Sequence, residues 1–168
     1  MSKTCNLETL KMIYFAHIHS NISFNLGVYG ATSKKNLNRI LCIQKRAIRL
    51  MLHLNWNDSA KEHFKNLGIM TVYSMYLYEV ALYTKRNFSS VILCGENHCH
   101  LTRGRNNIKT PTHKLAFFEK KPTFLGGKVL NNLPTIIKEE NNLEKFKKIL
   151  KDYFLIRPLY SLEEFFEM

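Results

Sequence analysis

Apolar side chains along the first half of the chain return at the three- and four-residue intervals of an α-helix. Leu7, Leu10, Ile13, Tyr14 and His17 share one helical face. A stretch from Ser20 to Ser33 interrupts the pattern with Asn, Ser and Gly, and Gly27 and Gly30 mark a turn or a close backbone approach. The clearest helix runs from Asn36 to Leu54. Leu37, Ile40, Leu41, Gln44, Ala47, Ile48 and Met51 fall on one side of it, with Lys35, Arg39, Arg46, Arg49 and His53 opposite. Ile43 and Leu50 lie at the edge of the apolar stripe and widen it, which predicts packing on more than one neighbour.

Ser59 and Glu62 have the spacing of a capping box, so a short helix is expected through Phe64, ending at Gly68. A longer helix is expected from Thr71 to Arg86. Its Tyr73, Met75, Tyr76, Leu77, Val80, Leu82 and Tyr83 read as core and not as a stacking surface. From Asn87 to Pro122 the periodicity dissolves among Gly95, Gly104, Pro111 and Pro122, with a short helix or strand at Leu115–Glu119. Asn142 then caps a helix carrying Phe146, Ile149, Leu150, Tyr153 and Phe154. Pro158 ends it, and Ser161 with Glu164 opens a short terminal helix holding Phe165 and Phe166. The expected fold is all-α, several short helices with a long irregular basic arm. Along the chain this gives a helical region over 1–86, the arm over 87–122 and a second helical region over 123–168.

Charge changes the picture. Twenty-five Lys and Arg against thirteen Asp and Glu leave +12 on 168 residues. An excess of this size attracts polyanions, nucleic acids above all. Cations also crowd the arm, where Arg103, Arg105, Lys109, Lys114, Lys120 and Lys121 stand, and a long irregular loop of that kind suits a phosphate backbone.

Catalytic chemistry is thin. The only aspartates, Asp58 and Asp152, stand alone, and the pairs Glu139-Glu140 and Glu163-Glu164 are sequence neighbours that do not face each other on a helix. Two-metal nucleotidyl transfer needs converging carboxylates, so no polymerase or nuclease is expected within this chain. No nucleophile elbow or phosphate-cradling glycine loop is present; Gly126-Gly127-Lys128 lacks the spacing. Cys94, His98, Cys99 and His100, with His113 further on, form one compact cluster without a second spaced pair, so no zinc site is expected. The first ten residues lack the apolar core of a signal peptide, and no run approaches the ~18 apolar residues of a membrane span. Free thiols in a reducing, intracellular setting are expected, without membrane insertion.

Five stretches carry a resemblance. They are Ser23-Phe24-Asn25-Leu26-Gly27-Val28-Tyr29-Gly30, then Gln44-Lys45-Arg46-Ala47-Ile48-Arg49, then Phe64-Lys65-Asn66-Leu67-Gly68-Ile69-Met70-Thr71-Val72. His98-x-His100-x-Thr102-Arg103 and Asn132-Leu133-Pro134 with Ile136-Ile137-Lys138 complete the set. In this order they resemble the region downstream of the polymerase core in jockey-like non-LTR (LINE-type) retrotransposon reverse transcriptases. That family carries S-Y-G-x-x-x-W-G, Q-K-R-A-I-R, F-K-x-L-x-I-L-x-V, H-x-Y/H-x-T-R and N-x-L-P-x-x-I-K. Phe24, Asn25 and Tyr29 stand where the family has Tyr, Gly and Trp.

The resemblance implies a thumb-adjacent, non-catalytic segment of an RNA-directed DNA polymerase. The catalytic aspartates and their magnesium would belong to a polymerase core that this chain lacks. The expected partners are RNA, DNA and that core. The expected phosphate contacts are Lys35, Arg39, Lys45, Arg46 and Arg49 on the helix, with Arg103, Arg105 and Lys109 on the arm; His98, His100 and Thr102 either add polar contacts or order the loop. Two other readings stay open: a helical protein-interaction module whose basic surface meets an acidic protein, docking through exposed Phe165 and Phe166 together with the Tyr-rich helix, and a retroelement remnant without selected function. RNA against DNA, and nucleus against cytoplasm, are open as well.

Overall fold

In a computed structural model the described residues are 5–87, 92–96 and 105–167; most of them are helical, and no strand is among them. Contacts divide the chain into two compact units. One comprises residues 1–76 and 153–168, the other residues 77–152, so both boundaries fall inside helices. These units cut the chain differently from the three stretches drawn along the sequence.

The first unit opens with α1 (Leu7–Ile13), whose N-terminus is capped by Asn6: its Oδ1 accepts the Thr9 N–H at 2.8 Å. The helix passes without a break into a π-helical stretch, Tyr14–His19, and then into α2 (Ser20–Ser23). The wider π turns shift the side-chain phase. Of the face expected to be apolar, only Tyr14 is buried, while Leu7, Ile13 and His17 stay exposed. The short α3 (Leu26–Tyr29) follows, and then α4 (Lys34–Leu52).

Leu37, Leu41, Gln44, Ile48 and Met51 line the buried face of α4, as the periodicity predicts. Ile43 and Leu50, expected to widen that face, are instead 53 % and 67 % exposed. His53 ends the helix in the left-handed conformation, φ 54°, with the Leu54 N–H on the Arg49 carbonyl at 2.9 Å.

In α5 (Lys61–Leu67) the expected capping box does not form. Ser59 Oγ meets only the Lys61 N–H, at 3.4 Å, and Ala60 occupies the cap without a side-chain bond. The C-terminus does follow the expectation. Gly68 takes φ 64°, a conformation costly for any residue with a Cβ, and the Ile69 N–H closes on the Phe64 carbonyl at 2.9 Å.

Thr71 caps α6 (Val72–Arg86): its Oγ1 accepts the Ser74 N–H at 3.2 Å and lies 2.6 Å from the Leu159 carbonyl, to which it donates. Val72 through Leu77 are buried without exception, and of the aromatic and aliphatic set on this helix only Tyr83 is exposed. The C-terminal stretch of the first unit ends in α10 (Glu163–Phe166). There Phe165 is 3 % exposed and packs against Phe154, ring centroids 5.8 Å apart. Phe165 is therefore core and not exposed, while Phe166 is half-buried. At the start of α10, Ser161 Oγ accepts the Glu164 N–H at 3.1 Å, while the Glu164 carboxylate reaches the Tyr160 N–H at 2.7 Å. This is the expected box displaced by one residue.

In the second unit, residues 105–110 return beside residues 92–95 through an isolated antiparallel bridge between Leu93 and Ile108. Two 3₁₀ turns, Cys94–Glu96 and Ala116–Lys120, flank it. The helix α7 (Pro122–Asn132) was not legible in the sequence, because Gly126-Gly127 reads as a helix breaker. The fold needs the first of those glycines. A Cβ at Gly126 would collide with the Thr84 side chain and sit 3.0 Å from the Val80 carbonyl, so α7 and α6 approach closely there.

Asn131 of α7 donates to the Ile108 carbonyl at 2.9 Å and accepts the Ile108 N–H at 2.8 Å, holding the arm by its backbone. The short α8 (Thr135–Lys138) leads to α9 (Leu143–Ile156). Asn142 Oδ1 caps α9 on the Glu144 and Lys145 N–H groups at 2.9 and 3.2 Å, as expected. No helix among the described residues is long and apolar enough to cross a membrane.

Gln44 is fully buried, yet all its main bonding capacity is met. Its Nε2 donates to Tyr14 Oη at 2.9 Å and to the Met70 carbonyl at 3.1 Å, and its Oε1 accepts the Val72 N–H at 2.8 Å. Gln44→Ala would strand three buried polar partners. It should cost about 3 kcal/mol in urea denaturation, against about 1 kcal/mol for Tyr14→Phe.

Burial pushes Tyr14, Tyr76 and Tyr160 up to about 12, with Gln44 opposing it at Tyr14, Arg49 opposing it at Tyr160 and Glu164 adding to it there. A raised phenol pKa favours folding in full below the ordinary value of 10, and that advantage is lost as pH climbs towards 12. The tyrosine contribution to stability, followed by circular dichroism from neutral pH upward, should therefore hold to about pH 10 and fall steeply above it. Tyr14→Phe, Tyr76→Phe and Tyr160→Phe together should flatten the fall.

Candidate nucleic-acid interface

The cations predicted to meet phosphates do not form one equivalent set. Within the first unit, Lys35, Arg39 and Arg46 are exposed and, among the described residues, make no ion pair. With Asn38, Cys42 and Ile43 they line a shallow depression along α4. Arg46 lies eleven positions after Lys35, which at 1.5 Å per residue spans about 16 Å of helix. Such a straight row of uncompensated cations on a rigid element suits a linear polyanion.

Lys45 is oriented otherwise. Its Nζ lies 3.8 Å from the centroid of the Tyr160 ring, and burial, with smaller contributions from Arg49 and Lys61, holds its pKa below the ordinary lysine range despite nearby Cys42. Lys61 approaches the same ring at 5.3 Å and pairs with Glu164. This cluster fastens the C-terminal stretch of the first unit to α4 and α5 and leaves Lys45 half-buried. Lys34, just ahead of the row, is paired with Glu163.

Arg49 is also engaged. Its Nε and one terminal nitrogen donate to the Asp58 carbonyl at 3.1 and 2.9 Å. The Asp58 carboxylate in turn accepts the Asn55 N–H at 2.8 Å, closing a turn that the Asp58 N–H completes on the Asn55 carbonyl at 3.2 Å. Inside this turn sits Trp56, 66 % exposed, with the Arg46 guanidinium carbon 5.1 Å and the Arg49 guanidinium carbon 5.8 Å from its ring. Reading the sequence by periodicity passed over Trp56, which lies between helices. The signal available was its being the sole tryptophan, placed after a run of arginines.

In the second unit Arg105 and Lys109 are exposed. Their backbones take part in the bridge region, with Gly95 N–H on the Arg105 carbonyl and Lys109 N–H on the Ile92 carbonyl, both at 2.9 Å. Lys109 borders an apolar cleft lined by Ile92, Ile108, Pro111, Thr112 and Phe124. Arg103 lies outside the described residues, as do His98, Cys99, His100 and Thr102.

Among the described residues no group of three or more His, Cys, Asp or Glu side chains could hold a metal ion. His113, considered as an extra ligand, instead stacks on Phe118 at 5.5 Å between centroids and meets Glu119 at 2.9 Å. That hydrogen bond, with Lys128 nearby, holds the Glu119 carboxyl below its ordinary value. No family model, curated protein or solved structure matches the chain.

Arg49 should behave as a structural arginine. Arg49→Lys keeps the charge but cannot reproduce the forked contact with Asp58, and should cost about 1 kcal/mol in denaturant titration. The fluorescence anisotropy of Trp56 should fall in the same variant as its turn loosens. Arg39→Lys should change neither reading.

Proposed function

We propose that this chain is a non-catalytic nucleic-acid-binding segment, the post-polymerase portion of a jockey-like non-LTR reverse transcriptase. The observation that carries the binding reading is the unpaired row Lys35, Arg39 and Arg46 on α4. The family reading rests on the ordered motifs, and local geometry supports it at two positions of the first of them. Asn25, where the family has glycine, sits at φ 55°, a backbone conformation that glycine adopts without cost and asparagine tolerates better than most residues. Gly30 lies so close to the ring of Tyr76 that a Cβ there would collide with it.

Under this reading α4 follows the phosphates of template RNA or primed DNA, while a polymerase core elsewhere supplies carboxylates, magnesium and chemistry. Contacts of this kind position the nucleic acid and carry little sequence information. The competing reading as a docking module loses its anchor with Phe165 in the core.

Fluorescence anisotropy with labelled hairpin RNA and duplex DNA, repeated from low to physiological salt, tests the proposal. Log affinity should fall linearly with log salt. Lys35→Gln combined with Arg39→Gln should weaken binding about tenfold or more and lower the slope magnitude by about 2. Binding that ignores salt, or a double variant that matches the wild type, would sink the reading.

A further inference from the structure

Resting on the nucleic-acid reading, we propose that Trp56 is a stacking platform for an unpaired base, which makes single-stranded nucleic acid the preferred ligand of this face. An indole 66 % exposed leaves apolar surface in water. Here it does so from a fixed turn, because Arg49 grips the Asp58 carbonyl and the Asp58 carboxylate holds Asn55. The ring is thus pre-positioned, and little ordering is needed when a ligand arrives.

Its surroundings match a nucleotide. Arg46 and Arg49 lie against the ring, and with Leu50, Leu54 and Trp56 they enclose a shallow cavity of about 200 Å³. Leu50, two-thirds exposed, adds a second apolar contact beside the indole. Arg46 belongs both to this cavity and to the depression lined by Lys35 and Arg39. A strand whose phosphates follow that row would therefore bring a base to Trp56 at its end. Stacking on an aromatic ring accepts any base but demands that the base be unpaired. Paired bases offer their faces to each other, so a duplex would use the cations and leave the indole idle.

The experiment uses the tryptophan fluorescence of the full chain, excited on the red edge where the eight tyrosines do not absorb, so that Trp56, the single tryptophan, alone supplies it. Oligo-U, oligo-dT, a blunt duplex of equal length and polyglutamate are titrated in at low salt, with anisotropy of labelled strands recorded in parallel. Single strands should quench the indole, and the duplex should bind with little quenching. Trp56→Ala should lose about tenfold in single-strand affinity while duplex affinity holds, and Trp56→Phe should retain most of the binding. Thermal melts should show both variants folded, since the replaced surface is largely in solvent.

Salt-sensitive binding with unchanged fluorescence, or a Trp56→Ala variant equal to the wild type on single strands, overturns the stacking role and leaves the cationic row intact. Equal losses on duplex and single strand overturn it too. No binding to any polynucleotide removes both readings, and equal quenching by polyglutamate replaces the base with an acidic protein.

Discussion

A single buried amide, that of Gln44, ties α4 to two other stretches of the first unit. Tyr14 from the N-terminal helix, the Met70 carbonyl and the Val72 N–H at the entrance to α6 all converge on it. The amide cannot be reversed: Val72 needs an acceptor and Met70 a donor, so each end of the side chain has one permitted role. Because the site is dry, each bond is strengthened by the low dielectric and each unmade bond would be costly. An apolar residue at this position would bury as well, yet it would abandon the Met70 carbonyl and the Val72 N–H.

The rest of the Gln44–Arg49 run follows from that anchor. Ile48, one turn on, is fully buried; Lys45 lies on Tyr160; Arg49 turns to the Asp58 carbonyl. Only Arg46 faces outward with its charge uncommitted to an ion pair or hydrogen bond among the described residues, resting against Trp56. Within this run the fold thus engages Gln44, Lys45, Ile48 and Arg49. The exposed chemistry of α4 begins upstream, at Lys35 and Arg39, and ends at Arg46.

What could be read from the sequence follows the same logic. The helix α4, the Asn142 cap and the Gly68 terminus were legible because each depends on local periodicity or on one residue's backbone preference. The helix α7 was not, since two glycines make sense only when Thr84 is seen pressed against Gly126. Phe165 and Phe166 looked alike, but tertiary packing buries the first almost completely and the second only partly. Charge counting did not separate the exposed cations of α4 from the engaged ones, because a sequence does not say which cations the fold has already engaged. Trp56 was missed for the opposite reason: it belongs to no periodic element, and only the Arg49–Asp58 clasp shows it held in a fixed turn.

Net charge closes the argument. Twenty-five basic side chains face thirteen acidic ones, so no internal pairing could neutralise the molecule. The pairs that form among the described residues engage lysines and a histidine: Lys34, Lys61 and Lys147 with glutamates, and His113 with Glu119. They leave the row on α4 bare, although Glu163 and Glu164 belong to the same unit and pair with Lys34 and Lys61 beside it. Mutual repulsion along such a row disfavours the compact state and is relieved only by counterions or by a polyanion. Releasing those counterions is what makes phosphate binding favourable at low salt. The repulsion carried by the free fold and the affinity proposed for its ligand thus have one source, the carboxylates that pair with Lys34 and Lys61 but not with Lys35, Arg39 or Arg46.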